Sequence, residues 1–225
     1  MNELFLEKNV QDGSLVLDED SSIRTFQSNL SDGGKHRLEI HVRQNISLNF
    51  TYVDFSKVNM DFELNVILEK GASATISLAS IGFEDFKKVF RFNVEHKDPN
   101  TYSRVSMSGI NTGNGCLTFL GNSLIPNGSH HSDTRQEGRI TNLSPDCHSE
   151  VSPSLLIKEN DVQASHGAAL GAYDPTQIFY LMSRGLSMME AKRLITYGTL
   201  YPIIESLSDE EVIKKAKNAL EELDI

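Results

Sequence analysis

From Arg37 onward the chain alternates. Leu38, Ile40 and Val42 are separated by Glu39 and His41, and Ile46, Leu48 and Phe50 by Ser47 and Asn49. Met60, Phe62, Leu64, Val66 and Leu68 run through "NMDFELNVILEKG". A period of two sends successive side chains to opposite faces of a strand, so one face enters a core while the other meets solvent or a second layer. The pattern continues at Ala72, Ala74, Ile76 and Leu78, at Phe90, Phe92 and Val94, at Val105 and Met107, and in "CLTFLG" and "PSLLIK". Strands recur about every dozen residues, divided by Gly, Asn, Asp and Pro, which suits a sandwich, a barrel or a β-solenoid. No strict repeat selects among the three. Residues 1 to about 34 are polar and mixed, with "DEDSS" and "LSDGG" as turns, and read as short peripheral strands.

After Gly171 the period changes. Asp174-Pro175 offers an N-cap followed by proline at the first helical position, where its missing N–H costs nothing. Ile178, Phe179, Leu181 and Met182 form an apolar helical face, and Gly185 is a stop. "SMME" (Ser187 to Glu190) is a capping box for a second helix, with Ala191, Leu194 and Ile195 on one side and an interruption expected at Pro202. "SDEE" (Ser208 to Glu211) reads as another capping box, opening a charged helix with Val212, Ile213, Ala216 and Leu220 as its stripe. The chain is thus a β body of residues 1–172 with a helical subdomain of residues 173–225.

Length and composition set the limits. The 225 residues suffice for one domain with an appendage, and 39% hydrophobic with 23% charged residues is ordinary for a globular chain. The net charge of −10 argues against non-specific nucleic-acid binding and against docking on anionic lipid, both of which use surplus Lys and Arg. No apolar run approaches the ~20 residues of a membrane span, and "MNELFLEKNVQDG" lacks the basic and apolar regions of a signal peptide, so a cytoplasmic protein is expected. Cys116 and Cys147 are then expected as free thiols. CxxC, HExxH and glycine-rich phosphate loops are absent from the sequence.

The residues that could carry chemistry each have a plainer reading. His166 sits between Ser165 and Gly167, uncrowded; it is either a ligand for iron or zinc or a strand-edge histidine bonded to a carbonyl. Cys147 and His148 are neighbours and would point to opposite faces of a strand, so a loop cysteine is the simpler view. Cys116 is expected as a buried small hydrophobe. "GSHHSDTRQEGRI" gathers His130, His131, Asp133, Arg135 and Glu137 without fixed ligand spacing, and reads as a solvated turn and strand.

"LLIKENDVQASHGAALGAYDPTQIFYLMSRGLSMMEAKRLITYG" closely resembles the C-terminal region of the SufB/SufD family, scaffold subunits of the SUF iron–sulfur cluster assembly system. "VEHKDPNTYSRVSMSGI" and "NSLIPNGSHHSDTRQEGR" are similar to further segments of that family, so the resemblance runs from about residue 90 to about 205. It implies a right-handed parallel β-helix and a non-enzymatic scaffold, with ATP hydrolysis supplied by a SufC-type ABC ATPase. That partner would dock on the C-terminal helices, for which Ile178, Phe179, Tyr180, Leu181, Arg184, Leu194 and Tyr197 are the candidates. A second SufB/SufD-type subunit, identical or not, would pair through the β-helix, with a transient iron–sulfur cluster forming at the interface. His166 matches the histidine of the family's "SHGA" element and is the expected interfacial metal ligand. Cys147 falls near the sulfur-accepting cysteine of SufB. Gly167 makes the chain SufD-like, and Ala164 stands where many SufD sequences carry a cysteine. The family's N-terminal helical domain has no counterpart, which suggests a short form. With two companion ligands missing, a binding or regulatory module without cluster chemistry is the alternative.

Overall fold

The structure is a computed structural model and describes residues 2–6, 12–28, 30 and 33–221. The turn expected at Ser31 and Asp32 lies outside these residues. Odd-numbered strands make a seven-stranded sheet in chain order: β1 (Asn2–Leu6), β3 (Ser21–Gln27), β5 (Ser47–Asp54), β7 (Ser73–Gly82), β9 (Tyr102–Asn111), β11 (Ser132–Asn142) and β13 (Val162–Ala172). Even-numbered strands make the facing six-stranded sheet: β2 (Gly13–Leu17), β4 (Gly34–Val42), β6 (Met60–Leu68), β8 (Lys87–His96), β10 (Cys116–Ile125) and β12 (His148–Ile157). Each strand pairs in parallel with the strand two along, so the chain advances one coil for every two strands. This is a parallel β-solenoid, which decides among the three architectures the alternation allowed.

Its coils are unequal, which hides the repeat. Phe50 aligns with Ile76, Ile76 with Val105, Val105 with Gln136 and Gln136 with His166. Those steps are 26, 29, 31 and 30 residues, by subtraction of the aligned positions. Alternate residues of both sheets point inward, and the middle coils enclose an aromatic stack: Tyr52 lies on Phe62 at 4.8 Å, Phe50 meets Phe92 edge-on at 6.4 Å, and Phe90 meets Phe119 at 6.0 Å. Strand β3 is buried along most of its length, so this N-terminal segment is a coil of the body and not a peripheral strand.

Within that body lies an ion pair shielded from water. Lys88 Nζ donates to Asp54 Oδ2 at 2.6 Å, and both side chains are 0% exposed. The carboxylate also accepts from the Ser56 N–H and hydroxyl and from Ser80 Oγ. Burial pushes the Lys88 ammonium below its ordinary pKa, and Asp54 opposes that shift.

Three helices follow: α1 (Pro175–Ser183), α2 (Met188–Glu205) and α3 (Glu210–Glu221). Asp174 caps α1 by accepting from Thr176 N at 2.8 Å. At its end Gly185 takes φ +98°, and Leu186 N donates to Leu181 O while Gly185 N donates to Met182 O, a Schellman closure. The Ser187–Glu190 capping box is complete. Two expectations fail here. Pro202 does not interrupt α2, because Leu200, Ile203, Ile204 and the following Leu207 are buried in one apolar cluster. That burial outweighs the ~3 kcal/mol of an internal proline. Ser208 is not the cap of α3: it takes φ +59°, and Asp209 accepts from the N–H groups of Glu211 and Val212 instead.

Helix α2 lies across the outer faces of β5, β7 and β9. Val53, Phe55, Ala79, Ile81, Phe83, Ile110 and Leu143 from the body join Val212, Ala216 and Leu220 from α3 in a second core. That core crosses the line between strands and helices at residues 172–175.

Candidate functional site

The last coil is open. Among the described residues, β12 and β13 are the final strands of their sheets, each paired on one side only. β13 thereby offers eleven residues of edge backbone. Of its inward positions, His166, Ala168 and Leu170 are exposed, because among the described residues no further coil covers them, while Val162 and Ala164 are partly buried. Leu156 and Leu170 remain 55% and 52% exposed, unusual for large apolar side chains.

His166 stands at the centre of this surface. Its alignment with Gln136, which is buried, puts it on the inward face. The column beneath it runs Ile23, Phe50, Ile76, Val105, Gln136, His166, so an apolar ladder turns polar in its last two steps. Register and the open end together leave this imidazole exposed on the edge strand β13, and among the described residues it makes no hydrogen bond to a carbonyl.

Below it the interior is a hydrogen-bonded network. His96, fully buried, places Nδ1 2.8 Å from Thr101 Oγ1 and Nε2 2.8 Å from Ser103 Oγ. Thr101 continues to Ser132 at 2.7 Å, Ser103 to Thr134 at 2.7 Å, and Thr134 to Ser123 at 3.0 Å. Gln136 closes the chain, its amide donating to Gly121 O at 3.0 Å and accepting from Ser123 N at 2.8 Å. Sequence reading missed this network. Its signal was the inward polar positions of "YSRVSMS" and "SDTRQEGR", which resemble outward positions until the register is known.

Burial drives the His96 pKa down to about 4, with Asp133 opposing in part. The unfolded chain protonates near 6.5, so between pH 6.5 and 4 it binds protons that the folded chain does not. Stability is therefore full above pH 6.5 and falls toward pH 4, by up to about 3 kcal/mol from this residue. Chemical denaturation of the wild type and of His96→Gln across that range should show the acid loss shrinking in the variant.

Cys147 is not beside His166. It lies in the corner after β11, whose end at Asn142 aligns with Ala172, six residues beyond His166 and so ~20 Å along the strand. Its Sγ donates to Gly113 O at 3.7 Å, and burial holds the thiol above its ordinary pKa. Cys116 is not buried as expected: Leu117 and Phe119 occupy the inward positions of β10, which turns Cys116 outward. The histidine-rich segment is the turn and strand anticipated, with His131 Nδ1 3.0 Å from Asp161 and Asp133 bound bidentately by Arg104. Among the described residues no group of three His, Cys, Asp or Glu could hold a metal.

The helical candidates divide. Ile178 is buried, and Tyr197 is partly buried and stacked on Tyr201 at 4.6 Å. Leu181 is half-buried, and Arg184 is exposed beside the Tyr180 ring. Phe179, Tyr180 and Leu194 are 74%, 55% and 50% exposed, and Met182, Met188 and Met189 accompany them. No described helix is long and apolar enough to cross a membrane.

A family model described as SUF system FeS cluster assembly, SufBD core domain, matches residues 9–199. The iron–sulfur cluster assembly protein SufD of Bacillus subtilis is 41% identical over 103 residues, covering 46% of this chain and 24% of that protein. SufD of Escherichia coli is 32% identical over 146 residues, 62% and 34% of the two chains. An iron–sulfur cluster assembly SufBD family protein of Mycobacterium tuberculosis is 30% identical over 166 residues, 69% and 42%. The chain matches less than half the length of each of these relatives. The family match takes in the solenoid from β2 to β13, all of α1 and most of α2, including the open coil with His166. The chain therefore belongs to the SufBD core domain family of the SUF iron–sulfur cluster assembly system.

Proposed function

We propose that this chain is a non-enzymatic scaffold subunit of SUF-type assembly. Residues 1–172 form its body and residues 173–225 its handle. The observation that carries the reading is the uncapped last coil: an eleven-residue edge strand, exposed apolar flanks and one accessible imidazole at its centre. A second SufB/SufD-type subunit pairing at β13 covers that edge. His166 then supplies one ligand to a nascent cluster, the cargo of the reaction, and the partner subunit supplies others. Imidazole and thiolate are established cluster ligands, and a single histidine per chain binds weakly enough to let cargo leave. Cys147, protonated and distant within its own chain, contributes less directly. A SufC-type ATPase docks on the exposed Phe179, Tyr180, Arg184 and Leu194, and its cycle moves the pair. Ile178 and Tyr197 act there as supports for the helices.

Pairing is tested at Leu170. It is half exposed, so Leu170→Lys leaves the free subunit folded but places an ammonium in the proposed interface. Pairing measured by sedimentation should weaken more than tenfold. Unchanged pairing sinks the β13 interface. Native assemblies that pair and bind ATPase yet never acquire a cluster under anaerobic iron and sulfide favour the regulatory module, consistent with Ala164 and Gly167 beside His166.

A further inference from the structure

A groove of about 570 Å³ lies on the outer face of the odd-numbered sheet, beside α2. Ser106 and Ser108 of β9, Gly167 and Ala169 of β13, and Gly198 and Thr199 of α2 line it, so its walls are small side chains and hydroxyls. Glu137 and Arg139 of β11 stand between them. Two apart on one strand, they share a face and sit about 6.6 Å from each other along it. Register denies both a partner across the coils. Glu137 has Ser106 and Gly167 on either side, and Arg139 has Ser108 and Ala169. Among the described residues neither makes an ion pair or a side-chain hydrogen bond. Elsewhere on the outer faces charges pair across coils, as Arg104 does with Asp133 and Arg91 with Asp61.

We propose that this groove is a binding site for a small zwitterion of the α-amino-acid class. Its volume falls within the ~300–1,000 Å³ of small-molecule sites. Arg139 presents a planar fork that receives a carboxylate through two N–H donors, and Glu137 accepts from an ammonium. Two charge-assisted hydrogen bonds of ~2.8 Å and the head of one amino acid span the step between them. An anion or a cation alone would leave one of the two charges unanswered, whereas an amino acid satisfies both. Ser106 and Ser108 offer hydroxyls to a polar ligand side chain. The glycines keep the space open: a methyl group added at Gly167 or Gly198 would meet no atom within 4 Å. The groove lies on the opposite face of β13 from His166, so a ligand there reaches the closing coil without touching the imidazole.

Saturation-transfer NMR of the full chain against each of the twenty protein amino acids tests it. At least one should bind with a Kd below about 1 mM. Its methyl ester, which lacks the carboxylate, and its N-acetyl form, which lacks the ammonium, should each bind more than tenfold more weakly. Arg139→Gln and Glu137→Gln should each weaken binding of the unmodified amino acid by the same factor, since each removes a charge-assisted contact. Gly198→Leu fills the groove from the helix side. Leucine is the better helix former and meets no neighbour at its Cβ, so the thermal midpoint should hold or rise while binding is lost. A wild type that binds none of the twenty overturns the proposal. Binding that survives Arg139→Gln and Gly198→Leu places the ligand elsewhere and overturns it too. A Gly198→Leu chain that loses subunit pairing, where the wild type binds no amino acid, assigns the groove to a protein surface instead.

Discussion

His166→Ala should form the same pairs and bind the same ATPase as the wild type, yet build no cluster. The side chain is exposed and makes no hydrogen bond among the described residues, so its loss should shift stability by no more than about 0.5 kcal/mol. The strand that carries it is held by main-chain pairing to β11 and is indifferent to the imidazole. What disappears is the accessible imidazole, proposed as a metal ligand, at the centre of the open coil. Anaerobic reconstitution with iron and sulfide, followed by absorbance and by transfer to an apo acceptor, should give background signal only. Normal reconstitution by a correctly paired His166→Ala complex would refute the ligand role. Loss of pairing as well would make His166 an interface residue instead.

Asp54→Ala should destabilise the chain by about 3–5 kcal/mol, the usual consequence of breaking one partner out of a buried ion pair. The remaining Lys88 ammonium is 0% exposed and loses the carboxylate that offsets its desolvation. Ser56 and Ser80 lose their acceptor at the same time. The double change Asp54→Ala, Lys88→Met should recover much of that loss, since a buried pair replaced by apolar groups is often close to neutral. Urea denaturation of the three proteins separates the outcomes. A single variant within 1 kcal/mol of wild type, or a double variant no better than the single, refutes the account.

The strands were legible because alternation is local: Met60 to Leu68 declares its inward face with no knowledge of neighbours. Their arrangement was not. A solenoid depends on which strand lies beside which, and Gln136 meets His166 across a coil of 30 residues while Phe50 meets Ile76 across 26. Unequal coils erase the period that would have named the fold, and only the family resemblance pointed to it. Helix ends were legible where a side chain does the capping, as at Asp174 and Ser187. Pro202 and Ser208 misled because burial of Ile203 and Ile204 and the backbone turn at Ser208 are tertiary facts. His166 was noticeable from its small neighbours, but its exposure depends on there being no coil above it.

The column from Ile23 to His166 also gives the molecule a direction. Cohesion in a stacked-coil protein is a sum of neighbour interactions, and here the terms change along the axis, from aromatic rings interlocked in the middle to hydroxyls and an amide near the end. The closing coil, with a neighbour on one side only, therefore loosens more readily than the middle coils. The end at which cargo is proposed to be built is thus more compliant than the middle coils, which stay rigid enough to hold helix α2 packed across β5, β7 and β9.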